Sequence, residues 1–582
     1  MRWPVMPTLG IEDFLGGEII TSVSRVTNGI FLPRSNGNLY VTQRPATDIN
    51  QDASDTVSLT CGRGIFYWDA NSAIYFVNDN KVYKNTYATE VNEAGVSVTD
   101  IDGDGSTATA TATAHGYKTG DKVTISSSTS YNGEHTITVT GADNFTFPSA
   151  ASTTNETGTA VRGLGGGGCD RVHFFECGDY LVIIDPTDNT GWYIAVGAST
   201  TLVEITNTNF PGANSTGGYQ LARGGAVLNG TLYVMNTIGE IFNSSVEDPR
   251  AWAALDFISA EVESDGGVYL TLHDNHITAF GDRTIEFFYD NANPSNSPLA
   301  VRQDIMHSVG TIDYSSIWSD QNTVYFVAQA KTGGLSVYAM RGMQISDISE
   351  PDIDTFLTTS IISDGLGVIA SGASIGHVVF YFLTIYQTNN SVIEPLETLV
   401  YNDTSGKWTT FEMMHTGIND FPVMDWTVAT ATRVGQGILS NGDIISMRDD
   451  WDPVETAGAT GGVFESGVFE NGVFTAASGG TGANIALEVI TGFSDNETRN
   501  RKFMSSIRHV GPKTAASQTL TVQWADEQNT TYNTGKTIDT SIPGARVTRT
   551  GSYRQRNIKL SYSGDEKVEI DALECDVNEG AY

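Results

Sequence analysis

The fold class follows from the stretch Ile74-Tyr75-Phe76-Val77-Asn78-Asp79-Asn80-Lys81-Val82-Tyr83. Two runs of aromatic and β-branched residues flank a polar tripeptide, which is the pattern of a β-hairpin. Similar runs recur along the chain, and long stretches with the helical period of 3.6 residues are almost absent. They include the runs that begin at Ile65, Tyr180, Leu232, Val324 and Val378. The sequence therefore predicts an all-β protein.

The spacing of the runs indicates the architecture. Successive units lie at steps of 52, 45, 47, 54 and 60 residues, marked by Tyr180, Leu232, Ile277, Val324, Val378 and Ile438. Repeats of about 40 to 50 residues are typical of propeller blades, four-stranded sheets that bury their faces against each other. We predict an irregular β-propeller of six or seven blades over residues 20–450, with Asn38-Leu39-Tyr40-Val41 as a closing strand. Because no repeat signature marks the blades, a double sandwich or an irregular β-barrel is the alternative.

Two segments interrupt the repeat. Residues 96–162 shift to Thr, Ala, Ser and Gly and then resume strand alternation, which predicts a small β-sandwich inserted into a propeller loop. The glycine run 163–168 that follows lacks the Lys-Ser/Thr pair of a phosphate-binding loop and is interpreted as a linker. A Gly-Val-Phe unit then repeats every five residues across 462–474, where a simple linker and a structured coil both fit.

These features divide the chain into five parts. The N-terminal strands with the first blade occupy residues 1–95, the inserted β-sandwich 96–162 and the rest of the propeller 163–455. The Gly-Val-Phe linker follows at 456–484, and a C-terminal β domain at 485–582. One helix is predicted, over Arg250–Leu255, because Asp248-Pro249 offers an acidic N-cap and a proline at the first helical position.

Composition excludes several classes. The 582 residues carry 32 Lys+Arg against 68 Asp+Glu, a formal charge of −36, and 40% are hydrophobic. Such a chain is too apolar to be disordered and too acidic for a general nucleic-acid coat. Its start lacks a secretory signal and no window approaches 18 uninterrupted apolar residues, so we expect neither signal-dependent secretion nor a membrane span. The four cysteines, without CxxC spacing, predict free thiols in a reducing cytoplasm: Cys61, Cys169, Cys177 and Cys575.

Catalytic and metal-binding patterns are weak. The sequence contains no GxSxG, HExxH, Walker or Rossmann motif, so we predict no enzyme, no cofactor and no metal site. Asp100, Asp102 and Asp104 match the first half of a calcium loop, but Thr111 stands where the bidentate carboxylate belongs. An ordinary acidic turn is the alternative to a Ca²⁺ ligand set.

Positive charge is concentrated near the C-terminus. Residues 499–567 contain 12 basic and five acidic side chains, a net charge of +7 that leaves −43 for the rest of the chain. We predict that this segment docks on an acidic neighbour, either an adaptor protein or another copy of the chain. The candidate docking residues are Arg499, Arg501, Lys502, Arg508, Arg546, Arg549, Arg554, Arg556 and Lys559. Direct DNA contact through Arg554 and Arg556 is the alternative.

Several motifs, in this order, resemble a known family. The central ones are Asn243, Glu247-Asp248-Pro249, Trp252, Leu255-Asp256-Phe257, Ala260-Glu261, the run from Ala279 to Phe288, Asn291 and Pro298. Asn38-Leu39-Tyr40 with Arg44-Pro45, and Gly551-Ser552-Tyr553-Arg554 with the final Ala572–Asp576, are similar to the two ends of such chains. The family is the tail hub proteins of short-tailed bacteriophages, also called tail nozzle or packaged-DNA stabilisation proteins.

The resemblance implies a structural virion protein. Such proteins form a six-copy ring below the portal and adaptor, close the DNA conduit and pass the genome during ejection. It also implies contacts with the adaptor, with tail fibres or spikes and with DNA in the lumen, and assembly in the host cytoplasm. An acidic bore would fit, because it repels phosphates and lets DNA slide. The alternative function is a carbohydrate-binding or hydrolysing propeller, since nine Trp and 23 Tyr offer stacking surfaces for sugars.

Overall fold

A computed structural model shows an all-β protein built on a ring of four-stranded antiparallel sheets. It describes residues 2–4, 25–35, 39–51, 61–164, 169–212, 217–260, 266–293, 296–320, 322–329, 334–375, 378–389, 392–413, 421, 423–428, 435–447, 454–456, 469–470, 473–474, 482–491, 500–527, 529 and 531–579. Seven blades follow one another in chain order, as the spacing of the hydrophobic runs predicts.

Each blade is a meander of four strands. Blade 1 comprises Gly62–Trp68, Ala73–Asn78, Lys81–Lys84 and Thr86–Val91. Blade 2 comprises His173–Cys177, Tyr180–Asp185, Thr190–Ala195 and Val203–Glu204, and blade 3 comprises Ala226–Leu228, Thr231–Met235, Glu240–Ser245 and Asp248–Ser259. Blade 4 comprises Tyr269–His273, His276–Phe280, Ile285–Asp290 and Leu299–His307, with Arg223–Gly224 added in parallel to its first strand. Blade 5 comprises Trp318–Ser319, Thr323–Gln329, Leu335–Arg341 and Gln344–Asp347.

Blade 6 is built from consecutive strands, whereas blade 7 includes a distant part of the chain. Blade 6 comprises Gly367–Ile375, Val378–Asn389, Val392–Asn402 and Lys407–Phe411. Blade 7 comprises Val423–Val428, Gly435–Leu439, Ile444–Met447 and, as its fourth strand, the N-terminal Thr47–Gln51. The closing strand is therefore Thr47–Gln51 and not the predicted 38–41 segment. Leu39–Gln43 pairs instead with Gly29–Pro33, and Val41 bridges to Ile570 in the C-terminal domain.

Burial between blades closes the ring. Among the described residues, a separate cluster of buried apolar side chains fills each of the seven contacts between neighbouring blades. The contact between blades 7 and 1 contains Ile65 and Phe76 from one side and Ile438 and Ile444 from the other. Each such fully buried side chain contributes roughly 1.5–3 kcal/mol relative to an exposed one, so the ring is held by every contact in turn.

The helix predicted for residues 250–255 is wrong. Asp248–Ser259 is the outermost strand of blade 3 and pairs with Glu240–Ser245. Proline is tolerated near the start of an edge strand. The Trp252 side chain is buried, and its indole N–H donates to the Pro249 carbonyl at 2.7 Å. Packing against blade 2 thus overrides a local helix signal. The described residues contain one short α-helix, Pro351–Leu357, which continues into a π-helical turn, Thr358–Ser363.

The inserted module is a single rolled sheet. In spatial order its strands are Gly133–Thr136, Lys122–Ser126, Glu156–Arg162, Val96–Gly103, Thr107–Thr111, Asn144–Pro148 and Thr138–Gly141. The two outer strands follow one another in sequence through the buried Ile137, so the sheet nearly closes like a barrel around one core. The module is all-β as predicted, but one curved sheet takes the place of the two layers of a sandwich.

The C-terminal domain continues outward from blade 6. Arg25–Thr27 pairs with Lys407–Phe411, and the sheet extends through Leu487–Ile490, Arg556–Tyr562, Thr519–Asp526 and Lys536–Asp539. A second sheet contains Arg2–Pro4, Ala572–Glu579, Lys502–Val510, Arg546–Thr548 and Ser552–Tyr553. The two sheets share one core that includes Leu487, Ile507 and Ile558. The domain is therefore tied to the propeller by strand pairing as well as by the chain.

Most of the Gly-Val-Phe repeat lies outside the described residues. Within it, Phe469–Glu470 pairs with Val473–Phe474. The two strands that flank the repeat, Val454–Thr456 before it and Gly482–Asn484 after it, pair with each other. No helix in the described part of the chain is long and apolar enough to cross a lipid bilayer.

Candidate assembly surfaces and the sealed hub

A short segment crosses the axis of the propeller. The first strands of neighbouring blades contact one another around this axis. Residues 169–172, here called the hub strap, run between them, and the Arg171 guanidinium donates to the carbonyls of Ala370 in blade 6 and Met424 in blade 7. The cavity left at the axis has a volume of about 20 Å³, with His173, Tyr269 and Tyr386 among its lining residues. Among the described residues, the hub strap therefore fills the axis and leaves no opening there wide enough for a DNA strand.

Polar contacts fix the strap on the opposite side as well. Arg63, which is fully buried, donates from Nε to the Asp170 carbonyl at 2.7 Å and from Nη2 to the Asp185 carboxylate at 2.8 Å. The Asp170 side chain accepts from Arg223 at 3.3 Å. Through Arg63 of blade 1 and Arg223 beside blade 4, the strap is bound on one side of the axis. Through Arg171 it is bound to blades 6 and 7 on the other.

A disulfide anchors the beginning of the strap. Cys61, just before blade 1, is bonded to Cys169 at a Cα–Cα distance of 5.4 Å. The prediction of free thiols is wrong for these two residues, because the strap returns to the start of blade 1 across 108 residues of sequence. Cys177 and Cys575 are buried and form no disulfide bond within the described residues.

Burial perturbs the ionisable groups around Arg171. It lowers the pKa of His173 to about 3, and the positive charges of Arg171 and Arg223 lower it further in the same direction. It raises the pKa of the Asp425 carboxyl, which Arg171 opposes. The hub therefore holds a neutral imidazole beside the strap arginine.

A second buried arginine joins the inserted module to the propeller. Arg162, at the end of the module's strand Glu156–Arg162, contacts carboxylates of Glu93, Asp121 and Glu204 at 2.9, 2.9 and 2.8 Å. Its guanidinium also lies over the Trp192 ring of blade 2, 4.9 Å from the centroid. Burial raises the pKa of Glu204, but the charges of Arg162 and Lys118 outweigh it and leave that pKa below its ordinary value. The module is thus held rigidly against blades 1 and 2.

The nine predicted docking residues fall into four groups. Arg499 lies outside the described residues. Lys502 and Arg556 are fully buried: the Lys502 ammonium donates to main-chain carbonyls, and Arg556 forms a two-pronged ion pair with Asp526 at 2.6 and 2.8 Å. Arg508 and Lys559 form ion pairs with Glu574 and Glu488. The remaining four are exposed, and within the described part of the chain no carboxylate pairs with them: Arg501, Arg546, Arg549 and Arg554.

The basic segment is largely neutralised within its own domain. Residues 485–582 carry 12 basic and 13 acidic side chains, so the whole domain has a formal charge of −1. Four of the eight acids of this domain that lie outside residues 499–567 stand in the adjacent strands Leu487–Ile490 and Ala572–Glu579. Of the nine predicted docking residues, the four exposed arginines remain available for an outside partner, whereas buried Arg556 cannot reach DNA.

The calcium-like residues form a hairpin. Asp100 and Asp102 lie in the strand Val96–Gly103, and the Asp104 carboxylate accepts from the Ser106 and Thr107 amides at 2.8 and 2.7 Å. Asp102 accepts from the Asn155 amide at 2.8 Å. Across the described residues, no three His, Cys, Asp or Glu side chains are grouped closely enough to hold a metal ion.

The sequence analysis missed the arginines that hold the molecule together. Arg63, Arg162 and Arg171 are isolated in sequence, and their partners come from distant elements. The glycine run before Cys169 signals a linker, but nothing in it indicates that the next residues cross the hub.

Comparison with known proteins shows that the middle of the chain is similar to a family of bacteriophage proteins. Residues 151–362, which span blades 2 to 5, match the family model described as "Bacteriophage P22 Gp10, beta-propeller", within a family of phage stabilisation proteins. The resemblance to tail hub proteins is thereby confirmed over these residues, and the match supports a structural component of a phage particle. No curated protein matches the sequence.

Solved structures with weak similarity include three unrelated proteins. A structure of the S. cerevisiae complex of dbp5, nup159 and gle1 covers 73% of this chain and 100% of its own, with 8% identity and a TM-score of 0.32. The computationally designed Ika8 protein covers 68% of this chain and 99% of its own, with 11% identity and a TM-score of 0.29. The alignment with an exo-beta-1,3-galactanase from Phanerochaete chrysosporium covers 70% of this chain and 95% of the galactanase chain, with 8% identity and a TM-score of 0.26. At these values none of them bears on function.

Proposed function

We propose that this chain is the subunit of a tail hub, or nozzle, ring in a short-tailed bacteriophage, placed below the portal and adaptor. The observation that carries the proposal is the family match over residues 151–362, which coincides with four consecutive blades. In this role the protein is a structural element without catalytic function. It is assembled in the host cytoplasm, becomes part of the virion tail, closes the DNA conduit and lets the genome pass during ejection.

The sealed hub determines where DNA would pass. Arg171 and the strap fill the axis of each propeller, so the conduit has to lie between copies arranged around a common axis. We propose a homo-hexameric ring, following the family resemblance. Each propeller then acts as a rigid block in the wall of the conduit.

The acidic composition suits such a wall. Each copy contributes a formal charge of −36, and an acidic lumen repels phosphates, so DNA slides without sequence-specific binding. A basic lumen would instead hold the DNA, because each neutralised phosphate releases condensed counterions and favours binding.

The exposed arginines are the proposed docking residues. Arg501, Arg546, Arg549 and Arg554 can pair with carboxylates of the adaptor or of a neighbouring copy, because the domain itself leaves them without acidic partners in the described residues. The tail fibre or spike is the third proposed protein partner.

Electron microscopy tests the proposal. Gold-labelled antibodies against this protein should bind the distal tail of the phage particle, and purified protein should form rings with a central opening. A protein that is absent from virions would contradict the tail hub assignment. The carbohydrate-binding alternative predicts instead a glycan-array hit by the monomer.

A further inference from the structure

The C-terminal domain contains a groove with a basic edge and an apolar floor. It has a volume of about 360 Å³ and lies between the end of the strand Lys502–Val510 and the turn before Arg546–Thr548. Ile538, Pro543 and Ala545 contribute apolar surface, and the Ile542 side chain at its margin is 55% exposed. The exposed isoleucine extends the apolar surface of the groove, so that a partner with an apolar side chain can bury both.

Positive charge surrounds this groove. Arg508 and Lys513 line it, and Arg546 lies directly opposite Arg508 in the neighbouring strand. Lys513 and Arg546 are exposed and form no ion pair within the described part of the chain. The one carboxylate in the lining, Asp539, already accepts from Ser517 at 2.6 Å and from the Ser541 amide and hydroxyl. The groove therefore suits a segment that combines carboxylates with an apolar side chain.

The chain itself contains such a segment. Residues 347–364, here called the acidic segment, carry five carboxylates and no Lys, Arg or His. The helix Pro351–Leu357 anchors the segment by burying Ile353 and Leu357 between blades 5 and 6. Asp352 and Asp364 remain exposed, and Ile362 is 56% exposed between them. In the described residues none of the five carboxylates forms an ion pair.

We propose that the groove of one copy binds the acidic segment of a neighbouring copy, with Lys513 and Arg546 facing Asp352 and Asp364, and Ile362 covering the apolar floor. The inference rests on the proposed ring, because a ring is built from heterologous contacts in which two different surfaces meet at every interface. Complementary charges specify the register of such a contact, while the covered apolar side chains supply most of its affinity.

Charge reversal of the groove tests this interface. The double variant Lys513→Glu with Arg546→Glu places like charges opposite the acidic segment, and we expect the association constant between copies to fall by about 100-fold or more. The matched control, Arg250→Glu with Arg302→Glu, changes the charge equally at positions of blades 3 and 4 that belong neither to the groove nor to the proposed docking residues, and it should associate like the wild type. Mass photometry measures the association, and circular dichroism checks that each variant is folded.

A charge swap and a cross-link identify the occupant. Adding Asp352→Lys and Asp364→Lys to the groove variant should restore association. A zero-length carbodiimide cross-linker should join the Lys513 amine to a carboxylate within residues 347–364 of another copy. A cross-link from Lys513 only to other segments, or to the adaptor in particles, would overturn the assignment.

Ring formation by the groove variant and by the wild type tests the groove contact and the tail hub separately. Wild-type rings that persist unchanged in the groove variant would overturn the groove contact and leave the tail hub intact. A wild type that forms no ring, alone or in the particle, would overturn the tail hub and this contact together.

Discussion

Arg171 in the hub and Arg546 in the C-terminal domain show two opposite uses of one residue type. Arg171 is partly buried at the axis of the propeller and donates to carbonyls of two blades. Arg546 is exposed at the edge of a groove and meets no carboxylate in the described residues. Burial makes an arginine a fixed part of the fold, because its charge must be compensated where it stands. An exposed arginine can bind a partner, and it contributes little to the stability of the fold.

The largest expected effect comes from breaking a buried charge cluster. Arg162→Met leaves Glu93, Asp121 and Glu204 without their shared cation, and removing one partner of a buried ion pair costs roughly 3–5 kcal/mol. We expect the unfolding midpoint in urea to fall accordingly. Arg554→Met is the matched control, with the same change at an exposed site. Equal stability of the two variants would contradict the division between buried and exposed arginines.

The second-largest effect on stability is expected from removing the disulfide between Cys61 and Cys169. Cys61→Ser removes a link that closes a 108-residue separation, and such links typically stabilise the folded state by about 2–4 kcal/mol. We expect the oxidised wild type to unfold at a higher temperature than the variant, and reductant to abolish the difference. Cys177→Ala, at a free buried thiol, should leave the response to reductant unchanged. A wild type indifferent to reductant would show that the strap is not held covalently.

A pH-dependent difference distinguishes a half-buried carboxyl from an exposed one. Burial raises the pKa of Glu350 from 4.5 to about 7, with Lys407 opposing the shift and Asp352 adding to it. Its contribution to stability is therefore complete below pH 4.5 and is lost as the pH rises through about 7. Glu350→Gln should match the wild type in melting temperature near pH 4.5 and exceed it near pH 8. Asp352→Asn, at the exposed neighbour, serves as the control, and a Glu350→Gln curve parallel to that of the wild type would contradict the assignment.

The smallest effect belongs to the exposed arginines. Arg546→Ala and Arg549→Ala should each change the free energy of unfolding by less than about 0.5 kcal/mol, because neither side chain has an acidic partner in the described residues. Chemical denaturation of the monomer measures this. A loss of several kcal/mol would place these arginines with Arg162 as internal supports and remove the basis for docking.

Some of this organisation follows from sequence, for a physical reason. Hairpins such as Ile74–Tyr83 are local, so alternating apolar runs and polar turns predict the blades, and their spacing predicts the ring. The helix predicted at 250–255 fails because Trp252 gains more from burial in the contact between blades 2 and 3 than the local cap signal offers.

The long-range features could not be predicted in this way. Thr47–Gln51 closes blade 7 across almost 400 residues, and Cys169 meets Cys61 only because the strap returns to blade 1. The charge count of residues 499–567 likewise concealed the pairing of Arg556 with Asp526 and of Arg508 with Glu574, which topology alone brings together.

The central claim is that each propeller is sealed at its hub and that DNA passes between copies. A cryo-electron microscopy reconstruction of the genome-filled tail tests it most directly. We predict six copies around a common axis, with DNA density on that axis and protein density of the strap and Arg171 at every propeller hub. Nucleic-acid density threading the hub of a single propeller, or an open hub without the strap, would contradict the account.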